Sequence, residues 1–238
     1  MSSSFRVNRW AAWAPGLQTP EAWRGWLCAP DLAALAGDAV AALPELPPMT
    51  RRRIDPLGRA ALQAAFWAQG AEPTGPVVFT SRWGEIARAV SLLRQLAQGE
   101  PLSPTAFSLS VHNASSAVYS IARGDTANYS AVSAGPGSAA AGVCEALGLL
   151  ADGAQQVLVV SVEAPLPDPY GAFETQSVPL RAWAAVIEHG DELGLQPSAD
   201  ASASMPPDGL PPDLAVLQFL AGNAASLHQA GWQWSRHG

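Results

Sequence analysis

The stretch from Asn128 to Glu163, NYSAVSAGPGSAAAGVCEALGLLADGAQQVLVVSVE, constrains this chain more than any other. It reads as a strand around Tyr129–Ser133, a tight turn at Gly135-Pro136-Gly137, a buried helix and a second strand. Proline is tolerated at a first helical position because its missing N–H would have no partner there anyway. The helix opens with Ser138, Ala139, Ala140, Ala141 and Gly142, side chains too small to hold a neighbouring backbone away. Val143, Leu147 and Leu150 follow at i, i+4, i+7, the spacing of a core-facing stripe. Asp152-Gly153 ends the helix, and VLVVSV over Val157–Val162 predicts a strand buried on both faces. A helix that starts after such a turn aims free N–H groups at one spot, which suits an anion or a nucleophile.

Around this unit the chain alternates strand and helix. Phe5–Trp13 reads as a first strand, ended by Pro15-Gly16, and short helical pieces follow around Trp23, Trp26 and Asp31–Ala42. Pro56–Gln69 predicts a helix and Pro76–Ser81 a short strand. Gly84–Gln98 predicts an amphipathic helix with Ile86, Val90, Leu93 and Leu96 inward and Arg88 and Arg94 outward. Leu102–Arg123 reads as a loop into a serine-studded helix. Val178–Glu188 is a strand closed by a turn at Gly190-Asp191, and Asp213 caps a last helix reaching about Leu227. Trp232-Gln233-Trp234 reads as a terminal strand. This order argues for one α/β layered domain over residues 1–238, with a largely parallel sheet and a mobile, low-complexity loop at 197–212.

With 238 residues the chain can bury a substantial core. Charged residues make up only 14% while hydrophobic ones reach 48%, and nine tryptophans stand among them, so some apolar surface is expected to meet a partner. A net charge of −7 argues against nucleic acid. All 13 basic residues are arginine, which excludes a mechanism built on a Schiff-base or P-loop lysine. Cys28 and Cys144 match neither a metal-ligand spacing nor a disulfide framework, and Cys144, in mid-helix, reads as a small hydrophobe. No apolar stretch reaches the length of a membrane span and the N-terminus has no signal-like core, so a cytoplasmic protein is expected.

Two chemistries fit the turn. Gly135-x-Gly137-x-x-Ala140, between a strand and a helix and followed by Glu163 at the next strand's end, matches a dinucleotide-binding pattern. Pro136, however, removes a donor from the loop that must grip a pyrophosphate. Hydrolysis is the other: Ser133 and Ser138 bracket the turn, yet neither lies in a G-x-S-x-G elbow, and of the four histidines only His112 lies near a recognisable motif. For these serines and this histidine, helix capping and local hydrogen bonding is the simpler reading.

The segment from Ser81 to Pro167 resembles the amino-terminal half of β-ketoacyl synthases. The resemblance rests on SRWGEIARAVSLLRQLAQGEPLSPTAFSLSVHNA and on GDTANYSAVSAGPGSAAAGVCEALGLLADGAQQVLVVSVEAPLP. It is similar in particular to the short, chain-length-factor-like subunits of aryl polyene type II polyketide systems, and loosely so out to the first strand and the terminal WQWSR. The resemblance implies a truncated thiolase-like αβα fold with a mixed sheet. It also implies that a catalytic cysteine should open the helix after the turn, and aligning the helix ends places that cysteine on Pro136 or within a residue of it. Proline cannot carry an acyl group. The histidines and lysine that complete ketosynthase chemistry belong to a second half for which this chain is too short.

What the resemblance therefore implies is a non-catalytic subunit without cofactor. It would pair with a complete β-ketoacyl synthase, shape a tunnel for the growing chain, and meet the acyl carrier protein mainly through that partner. Residues 104–123 and 128–138 would line the interface, with Phe107, Val111, His112, Asn113, Ser116, Tyr119, Tyr129 and Ser133 as tunnel or interface residues. A purely structural stabiliser of the ketosynthase, or an independent enzyme using the turn, remain the alternatives.

Overall fold

The computed structural model describes residues 3–71, 75–174, 176–198 and 209–237. In chain order it contains β1 (Ser3–Trp13), α1 (Pro20–Cys28), a 3₁₀ turn at Leu32–Leu35, α2 (Pro48–Arg51), α3 (Pro56–Gln69) and β2 (Val77–Thr80). Next come α4 (Ile86–Ala97), α5 (Pro104–Ser108), α6 (Ala114–Arg123), β3 (Tyr129–Val132), α7 (Ser138–Ala151) and β4 (Gln156–Glu163). The chain closes with β5 (Arg181–Pro197), α8 (Pro212–Ala221), β6 (Ser226–Gln229) and β7 (Trp232–Arg236).

The strands form one mixed sheet in the order β3-β2-β4-β5-β7-β6, with β1 also on β5. Only β2 with β3 and β2 with β4 run parallel; β4, β1 and β7 all meet β5 antiparallel. The expectation of a largely parallel sheet is corrected here. Crossover helices enforce parallel pairing only in the first part of the sheet, and the later strands arrive through loops that reverse direction.

Strand alternation splits the interior into two cores, one on each sheet face. Val157, Val159, Trp183, Ala185 and Ile187 point to the side covered by α1, α7 and α8. Leu158, Val160, Ala182, Ala184 and Val186 point to the other, under α3 and Tyr119 of α6. A sheet covered on both faces produces the near-continuous apolar runs seen in β4 and β5. The layering is the αβα arrangement expected from the sequence.

Several boundaries differ from the sequence reading. Gly190-Asp191 does not turn the chain: β5 runs on to Pro197, and residues 189–192 bulge out between Glu188, opposite Arg6, and Leu193, opposite Phe5. A Cβ on Gly190 would lie 2.8 Å from Arg6 Cβ, so the glycine permits the close approach of β1 at the bulge. Burial of Leu193 and Leu195 rewards the resumed pairing. The last helix stops at Ala221 rather than near Leu227, and residues 226–236 form a hairpin whose tip, Ala230-Gly231, has φ of 50° and 78°, as a tight two-residue turn requires. Asp213 does not cap that helix; it is held by Arg181. The 102–123 segment is two helices, and Asp31–Ala42 contributes one 3₁₀ turn only. Most of the expected mobile loop at 197–212 lies outside the described residues.

The small residues at the start of α7 act as the sequence suggested. Ser138, Ala139, Ala140 and Gly142 are buried, and Thr80 Oγ1 on β2 donates a hydrogen bond of 2.7 Å to the Ser138 carbonyl. A Cβ on Gly142 would stand 2.9 Å from Thr80 Cγ2, closer than van der Waals contact allows. Gly148, on the outer face of the same helix, has nothing within 4 Å of its Cβ position. Gly142→Ala is therefore expected to destabilise the fold by about 1–3 kcal/mol through overpacking. Gly148→Ala should stabilise it by about 0.5–1 kcal/mol through helix propensity. Urea denaturation of both variants checks this, and equal effects would contradict the close packing of α7 on β2.

Candidate functional site

β3 ends at Val132 and the chain folds through Ala134 into a 3₁₀ turn, Gly135-Pro136-Gly137, with Gly135 at φ 58°. Ser138 locks the turn: its hydroxyl donates to the Gly135 carbonyl at 2.7 Å and accepts from the Ala134 N–H at 3.0 Å. The terminal hairpin closes over it, with Ala230 and Trp232 3.5–3.7 Å from the Cβ position of Gly137. Pro136 is exposed at the mouth of a cleft of about 70 Å³.

Charges dominate that cleft. Arg181 and Asp213 form a two-pronged ion pair, Nε to Oδ2 at 2.7 Å and Nη2 to Oδ1 at 2.8 Å, with both side chains nearly buried. Bidentate arginine–carboxylate geometry fixes the starts of β5 and α8 relative to each other. Glu163, at the end of β4, accepts the Arg82 N–H at 2.6 Å, while the Arg82 guanidinium lies 4.7 Å from the centre of the Trp83 ring. Burial first, and then the Asp213 charge, push the Glu163 carboxyl up to about 8.

This arrangement does not supply the chemistry of either enzyme reading. The Ser138 hydroxyl is held in the turn, Ser133 donates to the Arg82 carbonyl at 3.1 Å, and the His112 ring bonds the Ser81 carbonyl at 3.0 Å. No described hydrogen bond joins a histidine to either serine. The carboxylate of Glu163, which a ribose would need, is engaged by the Arg82 backbone, and the cleft is well below the roughly 300 Å³ at which small-molecule pockets begin. Cys144 is exposed on the outer face of α7, and so is not the buried hydrophobe its mid-helix position suggested; Cys28 is exposed as well. Among the described residues no group of acidic, histidine and cysteine side chains is placed to hold a metal ion, and no helix is long and apolar enough to cross a membrane.

A second polar cluster ties α3, α4 and α6 together. Asp55 caps α3 by accepting the Gly58 N–H at 2.9 Å and pairs with Arg88 at 3.3 Å. Glu85 accepts from the Ser115 hydroxyl at 3.3 Å. Burial, followed by the adjoining Asp55, pushes the Glu85 carboxyl up to about 9.

The residues singled out from the sequence fall into two sets. Phe107 and Val111 are 65% and 47% exposed and Tyr129 41%, with Asn113 and Ser133 also at the surface and His112 half-buried behind them. Ser116 and Tyr119 are 1% exposed and belong to the chain's own core: the Ser116 hydroxyl donates to the Asn113 carbonyl at 2.8 Å, and Tyr119 donates to Gln69 and packs on Phe66 and Phe79. These two are corrected from surface to core, because α6 turns one face onto α3 and β2.

The structure adds apolar residues that the sequence reading assigned inward or passed over. Leu93 and Leu96 are 57% and 61% exposed, Leu102 38% and Ile121 79%. Only Val90 and Leu92 of α4 are buried, and Arg88, read as outward, pairs inward with Asp55. The amphipathic period of α4 was real, but only part of its apolar side is covered: Val90 is buried, while Leu93 and Leu96 have no cover among the described residues.

A family model described as β-ketoacyl synthase, N-terminal domain, matches residues 23–235. Among solved structures, a chain of the complex between the ketosynthase ApeO and its chain length factor ApeC from Xenorhabdus doucetiae superposes with a TM-score of 0.83. It is 30% identical, and the match covers 98% of this chain and 99% of that one. The ishigamide ketosynthase/chain length factor matches with a TM-score of 0.65 at 15% identity, over 83% and 68% of the two chains. A β-ketoacyl synthase from Burkholderia phymatum matches with a TM-score of 0.60 at 14% identity, over 85% and 67%. No curated protein sequence matches the chain.

Glu85 and Glu163 keep their protons in the folded chain to about 9 and about 8, against 4.5 for the free side chain. The folded state thus binds more protons than the unfolded state between these values, so stability is full below 4.5 and declines as pH rises. The denaturation midpoint is expected to fall between about pH 5.5 and about pH 8.5, and Glu85→Gln or Glu163→Gln to flatten that fall. A wild-type midpoint that rises over this interval would contradict the assignment.

Proposed function

We propose that this chain, which belongs to the β-ketoacyl synthase N-terminal-domain family, acts as a chain-length-factor-like, non-catalytic subunit in polyketide synthesis. It would form one ketosynthase-like domain and pair with a complete β-ketoacyl synthase. The observation that carries this reading is the end-to-end match to a chain from a ketosynthase–chain length factor complex, at 30% identity over 98% of the sequence. Condensation requires a thiolate to hold the acyl chain. At the turn where the family places it, this chain presents Gly135-Pro136-Gly137, and its two cysteines, Cys28 and Cys144, are on outer surfaces elsewhere.

The surface supports a pairing role. Among the described residues β3 is an edge strand bonded only to β2, and open strand edges are usually protected or occupied. Near it in sequence, Phe107, Val111, Ile121 and Tyr129 leave apolar side chains in solvent, and α4 adds Leu93 and Leu96. Exposed apolar residues in such numbers mark protein contact surfaces. We assign Phe107, Val111, Asn113, Tyr129 and Ser133 to the interface or tunnel wall, with His112 behind them, and Ser116 and Tyr119 to the support of α6. The acyl carrier protein would dock mainly on the ketosynthase.

The test is co-expression with the ketosynthase of the same system. A one-to-one complex is expected, and Ile121→Arg or Tyr129→Asp should weaken it at least about tenfold; a stable monomer indifferent to the ketosynthase overturns the reading. In the reconstituted system Phe107→Ala is expected to lengthen the product, since removing an exposed ring enlarges a tunnel wall without disturbing the core. Product lengths unchanged in a fully assembled Phe107→Ala complex favour a purely structural stabiliser.

A further inference from the structure

Three helices begin at one place. Asp55 precedes α3, Glu85 precedes α4, and Ser115 lies in the first turn of α6. Asp55 accepts the Gly58 N–H on Oδ1 at 2.9 Å and faces the Arg88 guanidinium with Oδ2 at 3.3 Å, so both of its oxygens are engaged. Glu85 accepts the Ser115 hydroxyl on Oε1 at 3.3 Å, while no donor among the described residues reaches Oε2. The two carboxyl groups are in hydrogen-bond contact with each other. Glu85 is 7% exposed, and the cavity beside the cluster, closed by Ile54, Leu109, Ala114 and Val118, measures about 10 Å³. That is the least space in which one water fits, so solvent does not hydrate a second carboxylate there.

Charge decides where the proton of this pair resides. Two carboxylates that share a buried site do not both ionise, and Arg88 supplies one positive charge. Asp55, with both oxygens engaged, keeps its charge. Glu85 keeps its proton, held to about 9 by burial first and by Asp55 next. Arg88 Nε, 3.9 Å from Glu85 Oε2, has no hydrogen-bond partner, whereas an ionised oxygen at that place would attract it. Two further titratable groups line cavities shared with Glu85, and both are turned elsewhere: the His112 ring bonds the Ser81 carbonyl, and Glu163 accepts the Arg82 N–H.

We propose that Glu85 donates its proton from Oε2 to the Asp55 carboxylate, and that this shared proton is the latch fastening the start of α4 to α3. Little else holds α4. Val90 and Leu92 are its buried residues, and Arg94 near its end donates to the Asp168 carbonyl. Losing the proton leaves two carboxylates against Arg88 alone, so α4 opens locally, at lower cost than the sheet. The latch belongs to the chain by itself and holds whether or not it pairs with a ketosynthase.

Hydrogen exchange of the full chain, read by mass spectrometry on α4 and β4 peptides and corrected for intrinsic exchange, tests this. The free Glu85 carboxyl titrates at 4.5 and the latched one at about 9, so α4 opens about tenfold more often per pH unit between them. From about pH 6 to about pH 8, α4 is therefore expected to lose about 100-fold in protection, and to stay at least about tenfold less protected than β4 throughout. Glu85→Gln keeps a donor for Asp55 but cannot ionise, so its α4 should match wild type at about pH 6 and show no loss up to about pH 8. Asn caps a helix as well as Asp does, so Asp55→Asn should fold, but it removes the acceptor and the like charge. Its α4 should lose less than about tenfold over the same interval. The proposal is overturned by any of three results: a pH dependence in Glu85→Gln equal to wild type, an undiminished loss in Asp55→Asn, which would mean that burial alone holds the proton, or equal protection of α4 and β4.

Discussion

The contact on which the rest of this molecule depends is the close approach of α7 to β2. A side chain at Gly142 would collide with Thr80, and the Thr80 hydroxyl reaches the Ser138 carbonyl at 2.7 Å. Only a helix that opens with small residues can lie so near a strand. That approach sets where the turn at Gly135-Pro136-Gly137 stands above the sheet, and the terminal hairpin then closes on Gly137. The starts of α8 and β5 are in turn tied by the buried Arg181–Asp213 pair, and Gln229 of the hairpin donates to the Pro212 carbonyl at 2.6 Å. A buried ion pair of this kind adds little net stability over an apolar replacement, but losing one partner strands the other charge. Its role is to hold β5 and α8 in one geometry beside the turn.

The turn is rigidly built and its polar side chains are already engaged. Strand, turn and helix meet at an exposed proline, and the Ser133 and Ser138 hydroxyls both bond backbone carbonyls. Burial holds the Glu163 proton near neutral pH, and the Asp213 carboxylate is matched by the Arg181 guanidinium. The surface near the turn includes an unpaired strand edge and a row of uncovered apolar side chains. Surface of this kind, on a chain with so few charges, is typical of protein contact surfaces.

Much of the fold was legible because local physics and tertiary context agreed. Pro56–Gln69 has its boundaries in the sequence: Asp55 caps it, Pro56 takes the first position and Gly70 follows the end. The nearly continuous apolar run of β4 announced burial on both faces. Where the reading failed, two signals competed and a distant contact decided between them. Gly190-Asp191 has turn composition, but burying Leu193 and Leu195 against β1 and β7 made it a bulge. Asp213 sits where a cap belongs, but Arg181, 32 residues away, claimed it. In α4 the period located an apolar face correctly; it carried no information on whether the cover lies in this chain or another.

The sequence by itself determined the layered α/β organisation, the strand–turn–helix unit with its small-residue helix, and the presence of a proline between the two glycines of the turn, because periodicity, volume and the identity of one residue are local properties. The tertiary structure alone decided the antiparallel half of the sheet, the assignment of Ser116 and Tyr119 to the core, the exposure of Leu93 and Leu96, and the meeting of Asp55, Glu85 and Arg88. Each of those depends on which surfaces distant segments present to one another, and no window of neighbouring residues encodes that.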